Sequence, residues 1–198
     1  ITPSQHLKNF ILNLGFKNKI ETISNGIIIP EESAKKFTND QTNITIVSRL
    51  VTHKNIEKII AAISDLNNSL IKLNIIGDGP ELDQLQSIAS RSNNKENIIF
   101  HGKLNRDDIN SIFLQSDIYV QASNYEGLPH SLLEAMSYGI PVLCTPVGEC
   151  KELLGNEDRG YELDLPVSKD NIKSKIKEII SDKNTASKKG EDGKFFVT

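Results

Sequence analysis

At 198 residues the chain suits one domain with a substantial core, or one large half of a two-domain enzyme. A formal net charge of -3 and 6% aromatic residues exclude the basic surface of a dedicated nucleic-acid binder. Any phosphate site must therefore rest on a few placed cations and backbone N–H groups. No apolar run approaches bilayer length and no signal-peptide pattern opens the chain, so the expected location is cytoplasmic. Cys144 and Cys150 lack zinc-ligand and Cys-x-x-Cys spacing; they read as buried or incidental thiols in a reducing compartment, and no metal site is expected.

The predicted elements begin with a helix over residues 4–14, whose Leu7, Phe10, Ile11 and Leu14 share one face. Residues 44–50 form a β-branched strand, followed by a helix over 55–66. The next strand, 71–76, runs into Gly77-Asp78-Gly79-Pro80 and a helix over 80–91. That turn is neither G-x-G-x-x-G nor a Walker sequence, so it reads as a tight strand-to-helix turn supporting a cleft, and dehydrogenase and NTPase readings lose their main support. Short buried strands follow at 98–101, 118–121 and 142–145, with helices beginning near Asn105, Pro129 and Glu149. A strand near 160–163 and a helix over 169–181 complete the set. Apolar runs alternating with amphipathic stretches are the mark of βα units, so the expected fold is a Rossmann-like, doubly wound, mostly parallel six-stranded α/β sheet. Residues 182–193, polar and rich in Lys, Ser and Gly, read as a solvated mobile tail.

The segment 126–136 carries the strongest chemical signal. Glu126 and Glu134 stand with seven residues between them, across a loop and the first turns of a helix. Pro129 suits the first helical position and Gly139 before Ile140-Pro141 suits a stop, which gives a helix over 129–138. Its N-terminus is suited to an anion, because the first N–H groups lack intrahelical partners and the macrodipole is positive there. Leu132, Leu133 and Met136 form the buried stripe. His130, Glu134 and Ser137 fall on another, which turns Glu134 toward the helix start.

The string Glu126-Gly127-Leu128-Pro129-His130-Ser131-Leu132-Leu133-Glu134-Ala135-Met136, continued by Gly139-Ile140-Pro141-Val142, resembles the EX7E motif of family-four retaining glycosyltransferases with the GT-B fold, the glycosyl transferases of group 1. Ser48-Arg49-Leu50-Val51-Thr52-His53-Lys54-Asn55 resembles the family's G-R-L-x-x-x-K-G, with Ser48 and Asn55 in place of glycines. Phe100-His101-Gly102-Lys103-Leu104 resembles its F-x-G loop beside the nucleotide base, and His101 itself reads as structural. Ser123 is retained from a P-S-x-x-E lead-in. Thr145 to Cys150 resembles T-x-x-G-G-x-x-E with Glu149 for the second glycine, which puts an extra negative charge near the expected sugar or phosphate region.

The resemblance implies the donor-binding half of a GT-B enzyme, with residues 1–182 as the nucleotide-sugar domain, 1–27 leading in from an N-terminal acceptor domain, and 183–198 as the tail and the start of a closing helix. The donor would be a UDP-, GDP- or ADP-sugar and the acceptor a glycan or glycolipid of bacterial surface polysaccharide, lipopolysaccharide or capsule assembly. No cofactor is required, and membrane contact, peripheral on the inner face, comes only through other parts of the protein. Arg49 and Lys54 would hold the diphosphate, Arg as a planar fork and Lys as a point charge. Glu126 would serve the transferred sugar and Glu134 the ribose. Gly127, Leu128, Pro129, His130, Lys103, Leu104 and Ser123 would complete the donor site, and the family's histidine lies in the other domain. A non-catalytic nucleotide-sugar-binding module and a GT-B nucleotide-sugar epimerase are the alternatives; the epimerase would carry further acid and base groups in this domain.

Overall fold

The computed structural model describes the chain apart from residues 3, 4, 24, 25, 36, 38 and 39 and the side chain of residue 6. In order it forms α1 (Gln5–Asn13), β1 (Thr42–Val47), α2 (Ile56–Leu66), β2 (Ile71–Ile76), α3 (Leu82–Ser90), β3 (Ile98–Gly102), α4 (Arg106–Phe113) and β4 (Ile118–Gln121). It continues through α5 (His130–Ser137), β5 (Val142–Cys144), α6 (Cys150–Leu154), β6 (Tyr161–Glu162), α7 (Lys169–Ser181) and α8 (Lys183–Val197).

The strands form one sheet in the order β3-β2-β1-β4-β5-β6. Every pairing is parallel, with Ile44 of β1 opposite Leu73 on one side and Ile118 on the other. This is the expected doubly wound sheet of one half of a GT-B fold. The chain switches direction between β1 and β4, and in such sheets the crevice outside the carboxyl ends of these two strands is where ligands bind.

Parallel strands are covered on both faces and therefore read as almost unbroken apolar runs. Ile118 and Val120 of β4 point into one layer with Ile44, Ile46, Leu73 and Ile75, against Ile56, Ile59, Ile60 and Ile63 of α2 and Ile172, Ile176 and Ile179 of α7. Tyr119, Val142 and Cys144 point the opposite way, onto Leu132, Leu133 and Met136 of α5 and Leu153 and Leu154 of α6. Successive strand residues thus divide between two cores. Each fully buried isoleucine contributes about 1.5–3 kcal/mol relative to an exposed one.

Several expectations are corrected. The tail expected from 183 onward is helical: α8 is capped by Asp182, whose side chain accepts from the Thr185 N–H at 3.0 Å. Ala186, Gly190 and Gly193 lie buried along one face of α8. A Cβ on Gly190 would lie 2.3 Å from the Gly139 carbonyl oxygen, so the helix packs there backbone to backbone. Composition suggested solvation, but small residues at helical spacing made a flat packing face. Pro129 is the extended N-cap of α5 rather than its first helical residue. Ser137, placed on the polar stripe, is buried and donates to the Glu134 carbonyl at 2.7 Å. β1 ends at Val47, which leaves Ser48 to Leu50 in the following turn, α3 begins at Leu82 rather than at Pro80, and the helix after Glu149 is only Cys150–Leu154. Of the lead-in expected over residues 1–27, residues 3, 4, 24 and 25 lie outside the described residues.

Candidate functional site

The turn after β1 is fixed by the turn after β2. Ser48 N–H donates to the Ile76 carbonyl at 3.0 Å and Leu50 N–H to that of Asp78 at 2.9 Å. Gly77 has φ of 132°, and a Cβ there would lie 1.8 Å from the Ser48 carbonyl oxygen. Only glycine satisfies both the backbone angle and the approach. The Gly77-Asp78-Gly79 sequence is therefore a clasp that sets the position of Arg49. Arg49, Ser48, Gly77, Lys103 and Leu104 border a cavity of about 510 Å³ across the ends of β1, β2 and β3. Arg49 is exposed and, among the described residues, in no salt bridge.

Lys54 is brought to Glu126 by a second set of loop contacts. Thr52–Lys54 is a single 3-10 turn closed by Asn55 at φ 53°, ψ 32°. Asparagine is one of the few side chains that tolerate this left-handed conformation, which accounts for its presence where the family pattern has glycine. The Asn55 amide donates to the Ala122 carbonyl and to Asn124 Oδ1, both at 2.7 Å. Asn124 N–H in turn donates to the His53 carbonyl at 2.8 Å. The loops after β1 and β4 are thereby tied together, and Lys54 Nζ forms a close ion pair with Glu126 Oε1. Ser123 Oγ donates to the same oxygen at 2.6 Å. The two charged side chains are only 16% and 12% exposed.

The loop carrying Glu126 rests on the turn before α6. Gly148 has φ of 58°, and a Cβ there would lie 2.2 Å from the Glu126 carbonyl oxygen. Glu149, the departure from the family's glycine, is buried as the N-cap of α6, and its N–H donates to the Gly127 carbonyl at 3.3 Å. Ser48, another of the glycine replacements, leaves its Oγ buried without a partner, beside a void of about 10 Å³ also bordered by Lys54 and Ser123.

At α5, Pro129 provides no side-chain cap. Tyr119 Oη donates to Ser131 Oγ at 2.8 Å from the sheet below. Complete burial raises the Tyr119 pKa far above its ordinary value, so the phenol stays a neutral donor. Glu134 Oε1 forms a close ion pair with Arg106 Nη1, with the side chains 16% and 42% exposed. Sequence reasoning missed Arg106; its signal was a basic residue one place after the Asn105 cap, where the helix dipole disfavours positive charge.

The structure thus gathers Lys54, Glu126 and Ser123 into one contact, and Arg49, Lys103 and Leu104 around one cavity. Ser123 is fully buried and orients Glu126. Gly127 contributes the carbonyl that meets Glu149; Leu128 is half-buried against the α5 core, Pro129 is buried and His130 is exposed. His101 Nε2 lies 3.0 Å from Asn74 Oδ1, and burial with the nearby Lys72 charge lowers its pKa. Cys144 and Cys150 are free and buried, and burial holds the Cys144 thiol well above its ordinary value.

The family described as Glycosyl transferases group 1 matches residues 28–195, and the chain belongs to it. The O-antigen biosynthesis glycosyltransferase WbnH of Escherichia coli is 34% identical over 167 residues, which are 79% of this chain and 46% of that protein. An uncharacterized glycosyltransferase of Methanocaldococcus jannaschii is 30% identical over 145 residues, 73% of this chain and 37% of that protein. The chain therefore spans less than half the length of these relatives. Among solved structures, Staphylococcus aureus TarM with UDP, Fondaparinux and alpha-GlcNAc-glycerol superposes with a TM-score of 0.85 at 22% identity, over 98% of this chain and 39% of TarM. Anabaena HepE with UDP and glucose gives 0.86 at 19% identity, over 99% and 57% of the two chains. At these identities the likeness is one of fold. No helix among the described residues is long and apolar enough to cross a membrane.

Proposed function

We propose that this chain is the donor-binding part of a retaining glycosyltransferase that moves a sugar from a nucleoside diphosphate to a glycan or glycolipid acceptor in bacterial surface polysaccharide assembly. The carrying observation is the convergence of Lys54 and Glu126, 72 residues apart in sequence, at the switch point of the sheet beside the Arg49 cavity. Relatives named for O-antigen and teichuronic acid synthesis support the pathway class. The UDP in the TarM and HepE complexes supports a nucleotide-sugar donor. The whole enzyme works at the cytoplasmic face in this reading.

The chemistry is mainly electrostatic. As the bond from the anomeric carbon to the diphosphate breaks, positive charge grows on the sugar and negative charge on the departing phosphate oxygen. Arg49, Lys54 and the N-terminus of α5 stabilise that oxygen, and preorganised donors act most strongly where charge develops. A lysine ammonium has three N–H donors, so Lys54 can hold Glu126 and still offer a hydrogen bond to phosphate. With two cations and a helix end supplying positive charge, this reading requires no metal. Glu126 faces the sugar, and Glu134 accepts from ribose hydroxyls.

Calorimetric titration of the chain with UDP, GDP and ADP tests the proposal. One of them binds, and Arg49→Ala weakens that binding by about 1.5–3 kcal/mol, with a smaller loss for the free nucleoside. Equal losses for both ligands, or no binding at all, refute the diphosphate site. In the full-length enzyme, Glu126→Ala lowers turnover while leaving nucleoside diphosphate affinity nearly intact, the pattern of a contact made in the transition state. Acceptor-dependent transfer by this chain alone would refute the half-enzyme reading.

A further inference from the structure

The ion pair between Arg106 and Glu134 joins two helices at the mouth of the cleft. Arg106 is the first residue of α4; Leu104 just before it and Ile109 in the next turn border the same cavity as Arg49. Glu134 belongs to α5, on the other side of the switch point. The pair therefore stands next to the cavity-lining segment Lys103 to Ile109, though neither Arg106 nor Glu134 itself borders the cavity.

An arginine in the first turn opposes the helix dipole, so local stability does not account for it. Asp107 and Asp108 already supply the negative charge that a helix start favours. Arg106 has a specific partner instead, Glu134 Oε1. An ionised carboxylate offers about four acceptor positions, and a guanidinium donating to Oε1 leaves most of them open. It also fixes the plane of the carboxylate.

We infer that Arg106 is a positioning residue for the donor nucleotide: it holds the Glu134 carboxylate ready for the paired ribose hydroxyls and so makes this site select ribonucleotides over nucleotides lacking those hydroxyls. The inference rests on the nucleotide reading above. Arg106 acts through Glu134 and need not touch the base or the phosphates.

The test is titration of the chain and of R106A, R106K, E134A and the double variant with UDP, GDP and ADP and their 2′,3′-dideoxy counterparts. The ribonucleotide that binds most tightly is compared with its own dideoxy form, and thermal melts confirm folding. R106A weakens ribonucleotide binding by about tenfold, as the Glu134 carboxylate loses its fixed orientation, and leaves the dideoxy form within about threefold. R106K restores part of the loss, since an ammonium replaces the charge but not the fork. In the E134A background, removal of Arg106 has no further effect. Equal losses for ribo and dideoxy forms, tighter binding by R106A, or a further loss in the double variant would overturn the inference. An E134A variant that binds ribonucleotide normally would overturn the underlying ribose reading instead, and absence of binding by all three nucleotides would overturn both.

Discussion

Glu126 and Glu134 stand in one short motif and each meets one cation, yet their surroundings differ in kind. Glu126 is enclosed by Lys54 and Ser123, on a loop fastened by Asn55, Asn124 and Gly148. Glu134, midway along α5 and only 16% exposed itself, meets an arginine that is 42% exposed. A largely buried pair has already lost its water, so removing one partner strands the other charge. An exposed pair is screened and exchanges readily with ligand groups. The same Glu-to-cation contact thus has an enclosed cation at one end of the motif and an open one at the other.

The sharpest way to break this comparison is Lys54→Ala, which should lower stability by about 2–4 kcal/mol because Glu126 keeps its charge in a poorly solvated place. Urea denaturation reads the change, and adding Glu126→Gln should recover part of it. A loss below 1 kcal/mol, on the scale of an exposed pair, would show that the two glutamates are held alike.

Gly148→Ala should follow at about 2–3 kcal/mol, through the strain of a left-handed alanine and a contact with the Glu126 carbonyl that the backbone must relieve. The same urea denaturation should show its effect combining non-additively with Lys54→Ala, since both act on one loop. Additive losses would separate the turn from the Glu126 framework.

Arg106→Ala should cost less than about 1 kcal/mol of stability, whatever it does to binding. A loss as large as that of Lys54→Ala would make the α4 to α5 pair a structural strut.

The smallest effect is the acid response of His101, which lies in neither pair. Its pKa is lowered from the ordinary 6.5, so the folded chain binds fewer protons there than the unfolded chain. The contribution is present above that value and is lost as pH falls through it toward the lower folded pKa. Denaturation midpoints between about pH 7 and pH 5 should decline less steeply for His101→Gln than for the parent chain. Identical declines would remove His101 from the acid response.

Most of the framework was legible in the sequence because burial on both faces favours apolar strands, and Ile118 to Val120 showed that pattern directly, while Lys72 and Asn74 interrupt it in Ile71 to Ile76. The motifs likewise marked Arg49 and Lys54, cations of the kind that pair with phosphate, and Glu126 and Glu134, carboxylates of the kind that accept from hydroxyl groups. Helix α8 escaped a reading by composition because its packing face is made of Ala186, Gly190 and Gly193, residues that add little hydrophobicity and matter by letting backbones approach. Spacing along one chain cannot say which charges meet across the sheet. That Lys54 closes on Glu126 was decided by the hydrogen bonds of Asn55 and Asn124 between two loops, and that Glu134 meets Arg106 by the adjacency of α4 and α5 at the switch point. The sequence by itself determined the residue types available to the proposed site and the layers that carry them. Only the tertiary structure decided which cation each carboxylate keeps and how far water reaches that cation, because both depend on contacts between segments remote along the chain.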